Sequence, residues 1–310
     1  MSDTQTIGPS GFGFSNSAED VTDGMDLTGK TYLVTGCNSG LGLETTRVLA
    51  ARGAHVIGLA RTKEKAQKAF ADLGLGDEAA TAVACELSNL ASVKAAVAQV
   101  AGLGRSIDAL IANAGIMALP EVKQQDGVEL QFFTNHVGHF VLVTGLVDQL
   151  SADGRVVMLS SGAHHMAHEN GIEFDNLSGE ADYHPWRMYG NSKLANILFA
   201  RSLARQFAAA GSKKTANAVH PGVIQTNLSR NIPTAEAEVM FENIKKRVTL
   251  KDVGQGASTQ VYVATSPALA DVSGKYFQDN NESPTNPLAL DDAMADKLWA
   301  VTEEIVARVL

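Results

Sequence analysis

Tyr189 and Lys193 stand four residues apart at the start of a stretch with helical spacing, Tyr189 to Ala210. At that spacing both side chains point to one side of a helix. A phenol ordinarily titrates near about 10. A lysine ammonium close by favours the phenolate and lowers that value. Tyr189 would then be a general acid for a carbonyl oxygen, or a base for an alcohol. The pair alone is a weak signal, because any long helix can contain Tyr-x-x-x-Lys by accident. Ser161 ends a neighbouring apolar strand and can hydrogen-bond the same oxygen. Asn135 falls inside a long helical stretch, where asparagine is unfavourable. It could hold a water that relays protons to Lys193.

A second cluster suits phosphate. Thr31-Tyr32-Leu33-Val34 reads as a buried strand, and Leu43 to Ala50 has helical spacing. Between them lies the glycine turn Thr35-Gly36-Cys37-Asn38-Ser39-Gly40-Leu41-Gly42. Strand, glycine turn and helix present backbone N–H groups and a helix N-terminus to a phosphate. Gly36 permits the sharp turn, Gly40 the approach of the backbone to a pyrophosphate, and Gly42 the packing of helix on sheet. Taken alone, the turn is also compatible with no ligand. The second strand, Ala54 to Ala60, ends at Arg61-Thr62 with no carboxylate to meet the ribose hydroxyls of NAD. Arg61 offers a planar cation for a 2′-phosphate, which favours NADP(H). Glu86, ending the third strand, is either an acceptor for the adenine amino group or a solvated loop acid.

The elements that must position these groups alternate strictly. Strands are expected at 31–34, 54–60, 81–85, 107–111, 155–159, 216–219 and 274–277. Helices are expected between them, including a long one over about 126–150, another over 250–266, and an amphipathic helix over 291–309. Alternation with apolar strands predicts one α/β domain, a doubly wound parallel sheet of about seven strands. The polar and glycine-rich words gather at strand ends, where such sheets bind ligands. Residues 1–26 read as an N-terminal arm, with a capping pattern at Ser17-Ala18-Glu19-Asp20 and with Phe12 and Phe14 hinting that it lies on the body. Residues 27–310 form the domain, with helical material at 228–249 as a substrate lid.

The chain has 310 residues, 45% hydrophobic and 19% charged, enough for a substantial core. Its net charge of −9 argues against a nucleic-acid partner. Cys37 and Cys85 fall in interior elements and do not suggest a disulfide framework. The first residues lack the pattern of a secretory signal, and no apolar run is long enough to span a membrane. A soluble cytoplasmic protein, with no membrane partner, is the expectation.

Six ordered motifs make the sequence resemble a classical short-chain dehydrogenase/reductase over about residues 27–280: the turn at 35–42, Asn113-Ala114-Gly115, Asn135, Ser161, the Tyr189-Gly190-Asn191-Ser192-Lys193 segment, and 221–226. Asn135 to Phe140, Ser160 to His164 and Ser192 to Asn196 resemble the branch of retinol-dehydrogenase-like, WW-domain-oxidoreductase-like and light-dependent protochlorophyllide-reductase-like enzymes. The resemblance implies a Rossmann fold and catalysis by Asn135, Ser161, Tyr189 and Lys193. It implies a cofactor held by Gly36, Asn38, Ser39, Gly40, Leu41 and Gly42, and by Arg61, Glu86 and Leu87. Asn113 would sit near the adenine ribose, with Ala114 and Gly115 beside it. Tyr189 and Lys193 would reach the nicotinamide ribose, and Pro221, Gly222, Ile224 and Thr226 the nicotinamide. It also implies an NADP(H) cofactor, in agreement with Arg61, and a homodimer or homotetramer.

Three departures stand out. Glu86 replaces the family's usual Asp. The interval from Ser161 to Tyr189 is long, which makes Ser160 a rival for the serine role. The N-terminal extension carries no membrane anchor. Other residues invite blander readings. His164, His165 and His168 are irregularly spaced for a metal, and no metal is expected. His136 and His139 read as packing residues, and His220 as a core histidine. Lys245, Lys246 and Arg247 read as a solvated helix face. Met158, Met166, Met188 and Met240 divide between core and pocket. The expected function is an NADP(H)-dependent carbonyl reductase or alcohol dehydrogenase acting on a mainly apolar ketone, aldehyde or alcohol. The alternative is a non-catalytic NADP(H)-binding regulator on the same fold.

Overall fold

The computed structural model describes residues 8–232, 234–246 and 248–310. The first seven residues of the arm, Pro233 and Arg247 lie outside the described residues, as does the side chain of Met240.

Four strands open the sheet: β1 (Thr31–Thr35), β2 (His55–Ala60), β3 (Ala80–Ala84) and β4 (Ile107–Ala112). A small hairpin, β5 (Gln124–Gln125) and β6 (Val128–Glu129), stands apart. The sheet continues with β7 (Leu150–Leu159), β8 (Thr215–His220), β9 (Tyr276–Gln278) and β10 (Asn281–Glu282). The order is β10-β9-β8-β7-β4-β1-β2-β3, with every pair parallel except β9 and β10. The doubly wound sheet is as expected, with one short antiparallel edge strand added. Strand order reverses between β1 and β4, which makes their carboxyl ends the switch point.

Alternation along each strand sorts the core. Leu33, Leu110, Val156 and Ala218 face one side; Val34, Ile111, Val157 and Val219 face the other. The helices are α1 (Gly40–Ala51), α2 (Lys63–Asp72), α3 (Leu90–Gly102), α4 (Leu130–Phe132), α5 (Gly138–Leu146), α6 (Pro185–Ala209), α7 (Thr234–Lys245), α8 (Val253–Thr265) and α9 (Asp292–Val309). The first side is covered by α3, α5, α6 and α9, the second by α1 and α8.

Two differences from expectation have local causes. The long helix over 126–150 is replaced by the hairpin and a shorter helical run. Asp126 and Gly127 have φ of 51° and 77°, the left-handed pair that closes a two-residue hairpin. The run that follows is not uniform: α4 and α5 are joined by a wide π-turn, Phe133–Val137, which contains Asn135. The helix bearing Tyr189 begins at Pro185, four residues early. Proline suits the first helical position, and the His184 ring caps the Arg187 N–H at 3.3 Å.

The described residues of the arm lie on the body, as Phe12 and Phe14 suggested. The Phe12 ring meets Tyr262 edge-on at 5.8 Å, and Asn280 and Asn281 donate to the Gly13 and Phe12 carbonyls. Ser17 and Asp20 cap each other reciprocally. Cys37 and Cys85 are both buried and free. Met158 and Met188 are core residues, while Met166 is exposed. Lys245 and Lys246 are exposed and bond Glu242 and Asn243. Among the described residues no helix is long and apolar enough to cross a membrane.

Glycines of the helices differ in what they tolerate. A Cβ at Gly42 would lie inside the van der Waals shell of the Gly36 carbonyl. Gly102, near the end of α3, has open space around it and no positive φ. Gly42→Ala should therefore destabilise by about 1–3 kcal/mol through overpacking. Gly102→Ala should stabilise by about 0.5–1 kcal/mol. Denaturant unfolding of the two variants checks both signs.

Candidate active site

A cleft of about 640 Å³ opens at the carboxyl ends of β1, β2, β3 and β4. Gly36, Asn38, Ser39, Gly40 and Leu41 line one wall. Helix α1 starts there, and its N-cap Ser39 makes no side-chain cap, so the first-turn N–H groups are left to an anion. Gly36 and Gly40 have φ of 68° and 53°, which favours glycine at both. Gly42 sits outside the cleft lining and serves packing. Arg61, Glu86 and Leu87 line the cleft at the ends of β2 and β3. Strand β3 stops at Ala84, so Glu86 is a loop residue; its Oε1 accepts from the Ser88 hydroxyl at 3.0 Å.

Two lining cations escaped the sequence reading: Lys123, and Arg230 in the short turn Asn227–Asn231. Partial burial and the nearby Arg61 charge hold the Arg230 guanidinium below its ordinary value. Against three cations the described lining has one acid, Glu86. On a chain of net charge −9 this concentration of positive charge fits a phosphorylated ligand.

Asn113, Ala114 and Gly115 also line the cleft. Asn113 has a task nearer home: its amide donates to the Thr35 carbonyl at 2.8 Å, stapling the end of β4 to that of β1. Thr226 faces the glycine turn, with its Cβ 3.6 Å from where a Gly40 Cβ would be. Pro221, Gly222 and Ile224 do not line this cleft. Gly222 (φ 92°) rests on the stem of Lys251, a buried lysine paired with Asp279 at 2.6 Å. Ile224 pairs with Lys251 in a short bridge.

The four residues proposed for chemistry come together beside the cleft. Tyr189 is 4% exposed, packed against Met117 and Ala118 and covered by Trp186, Leu228 and Ile232. The Ser161 hydroxyl reaches the Tyr189 phenol. Ser160 is turned away: its hydroxyl donates to the Lys193 carbonyl at 2.8 Å. Lys193 Nζ donates to the Leu159 carbonyl at 3.0 Å and lies 5.5 Å from the Tyr189 ring centroid. The Asn135 amide makes a two-way clamp on Ile116, 2.9 Å in each direction, and also donates to Ser192 Oγ. A Cβ at Gly115 would be 3.1 Å from Asn135 Oδ1 and 3.6 Å from Lys193 Nζ. The bare Gly115 thus leaves a small space that both groups face.

Electrostatics correct one expectation. Burial raises the Tyr189 phenol to about 12, against the Ser161 hydrogen bond that lowers it. Burial also lowers the Lys193 ammonium to about 7, which weakens the charge that was to activate the phenol. Tyr189 therefore rests as a neutral proton donor.

The buried histidines hold backbone. His164 Nδ1 donates to the Ser161 carbonyl at 2.7 Å, and His220 Nδ1 accepts from the Gly162 N–H at 3.1 Å. Burial lowers both rings to about 4. His136 packs among Phe132, Phe140 and Phe199. No group of three or more His, Cys, Asp or Glu among the described residues is arranged for a metal. The bond of His220 to Gly162 joins residues 58 positions apart, which no local spacing shows.

A model of the short chain dehydrogenase family matches residues 30–237. The chain is 39% identical to the short-chain dehydrogenase TIC 32 A, chloroplastic, of Brassica napus, over 98% of its own length and 97% of the relative's. It is 37% identical to retinol dehydrogenase 14 of Homo sapiens, over 90% and 87% of the two chains. A crystal structure of a short chain dehydrogenase from Burkholderia cenocepacia, in complex with NADP, superposes with a TM-score of 0.64 at 25% identity, covering 81% of this chain and 96% of that one. On this footing the chain belongs to the short-chain dehydrogenase family, oxidoreductases that bind a nicotinamide cofactor.

Proposed function

We propose that the protein is an NADP(H)-dependent oxidoreductase that interconverts an apolar ketone or aldehyde and its alcohol. The observation that carries this is the meeting of Ser161, Tyr189 and Lys193 at one end of a cleft lined by Arg61, Lys123 and Arg230. A nicotinamide cofactor held in the cleft would supply the hydride in reduction and accept it in oxidation. Ser161 and Tyr189 hold the substrate oxygen. Tyr189 gives its phenolic proton to that oxygen as negative charge develops there, and takes it back in the reverse direction. Charged Lys193 steadies the phenolate left behind. Asn135 Oδ1 and Lys193 Nζ share the space at Gly115, where a water would return the proton. Met117, Trp186, Leu228 and Ile232 exclude bulk water and favour an apolar substrate. Arg61, with Arg230 nearby, is assigned the 2′-phosphate, and the NADP complex of the Burkholderia relative supports that choice.

Three outcomes are expected of the purified protein. Tyr189→Phe should reduce turnover of a carbonyl panel by roughly 10²–10⁴-fold, the usual range for a lost general acid. Its NADPH dissociation constant, read by cofactor fluorescence, should stay within a few fold. Arg61→Asp should cost about 1.5–3 kcal/mol of NADPH affinity, roughly ten- to a hundredfold, with little loss for NADH. Equal losses for both cofactors would remove the 2′-phosphate role. The pH profile follows Lys193, charged below about 7 and neutral above it. The ratio kcat/KM for NADPH reports the free enzyme. It should be high at pH 6 and fall as pH rises through about 7; a flat profile to pH 9 contradicts the role given to Lys193.

A further inference from the structure

His139 is fully buried on α5. Its Nδ1 lies 2.9 Å from the Asn135 carbonyl, and its Nε2 lies 3.0 Å from Thr35 Oγ1. A carbonyl only accepts, so Nδ1 carries the proton and Nε2 of the neutral ring accepts from the Thr35 hydroxyl. Burial holds the ring near 4, which keeps it neutral. Thr35 Oγ1 in turn accepts from the Ala114 N–H at 2.9 Å. The donors therefore point one way, from Ala114 through Thr35 and His139 to Asn135.

The path closes on itself. The Asn135 side chain clamps the Ile116 backbone through two bonds of 2.9 Å. Segment 114–116 is thus held at both ends from one residue: at Ile116 directly, at Ala114 through His139 and Thr35. Gly115 lies between, facing Lys193 Nζ. The partners come from β1, the loop after β4, the π-turn and α5; a separate bond from the Asn113 amide to the Thr35 carbonyl holds the neighbouring residue but does not reach Ala114, Gly115 or Ile116.

We infer that His139 is a positioning residue, which sets the Gly115 segment against Asn135 and Lys193 and so couples the cofactor cleft to the proton donor. The inference rests on the proposed reduction for its effect on turnover, but not for its effect on the loop. Thr35→Val removes one link with almost no change of shape, and His139→Leu removes the ring. Amide hydrogen exchange over residues 113–117 reads the loop without any ligand. Both variants should lose protection there, and the double variant should lose no more than the worse single one. With NADPH and a carbonyl substrate, kcat should fall about tenfold or more, as expected of a small misplacement. The KM for the carbonyl should change far less. Folded single variants with native protection at 113–117 and native kcat would overturn the inference, as would additive effects in the double variant. Lost protection in variants of a protein that never turns over would instead overturn the proposed reaction and leave the tie standing.

Discussion

The site depends on keeping two strand ends together where the sheet stops holding them. Strands β1 and β4 are ladder partners up to Val34 and Ile111, and beyond that point their chains part in opposite directions. A crevice opens there by topology alone. Its walls stay at a fixed separation because side chains replace the ladder. The Asn113 amide takes the Thr35 carbonyl, and the Thr35 hydroxyl takes the Ala114 N–H. Gln260 of α8 donates to both Thr45 of α1 and Asn113, which ties the helix layer to the same joint. Apart from the half-buried Ala114 N–H these groups are buried, so a lost partner would leave an unsatisfied polar atom costing about 1–3 kcal/mol. The glycine turn and the Gly115 segment inherit their geometry from this joint.

Electrostatics divides the site into two regions. The cleft is open and cationic, where the chain as a whole is acidic. The end around Tyr189 is closed and apolar, and burial is the largest influence on five titrating groups there. It pushes Tyr189 up and Lys193 down, and holds His139, His164 and His220 neutral. Neutral imidazoles can accept with one nitrogen and donate with the other. That is why three histidines serve as backbone braces around Asn135, Ser161 and Gly162 in place of charged groups.

Much of this was legible in the sequence, for definite reasons. Apolar runs bounded by glycine words locate buried parallel strands, and the spacing of Gly36, Gly40 and Gly42 locates the turn into α1 that lines the cleft. Tyr189, Lys193 and Ser161 were legible because helix spacing and strand ends are local facts. The hairpin at Asp126-Gly127 was also present as a turn signal, but a strong helical pattern downstream masked it. What stayed hidden is tertiary. The approach of Arg230 to Arg61 joins residues far apart in the chain. The bond of His139 to Thr35 spans 104 positions. The pKa of Tyr189 depends on depth of burial, which spacing does not report. The Lys193 charge looked decisive in the sequence, and desolvation outweighs it in the folded chain.

The central claim is hydride transfer from NADPH in this cleft to a carbonyl carbon beside Tyr189. Deuterium placed at C4 of NADPH follows that atom directly. Incubation of the pure protein with the labelled cofactor and a panel of apolar ketones and aldehydes should place deuterium on the carbinol carbon of an alcohol product, on one face only, in proportion to NADPH consumed. Folded protein that binds NADPH yet transfers no label to any member of the panel would contradict the account.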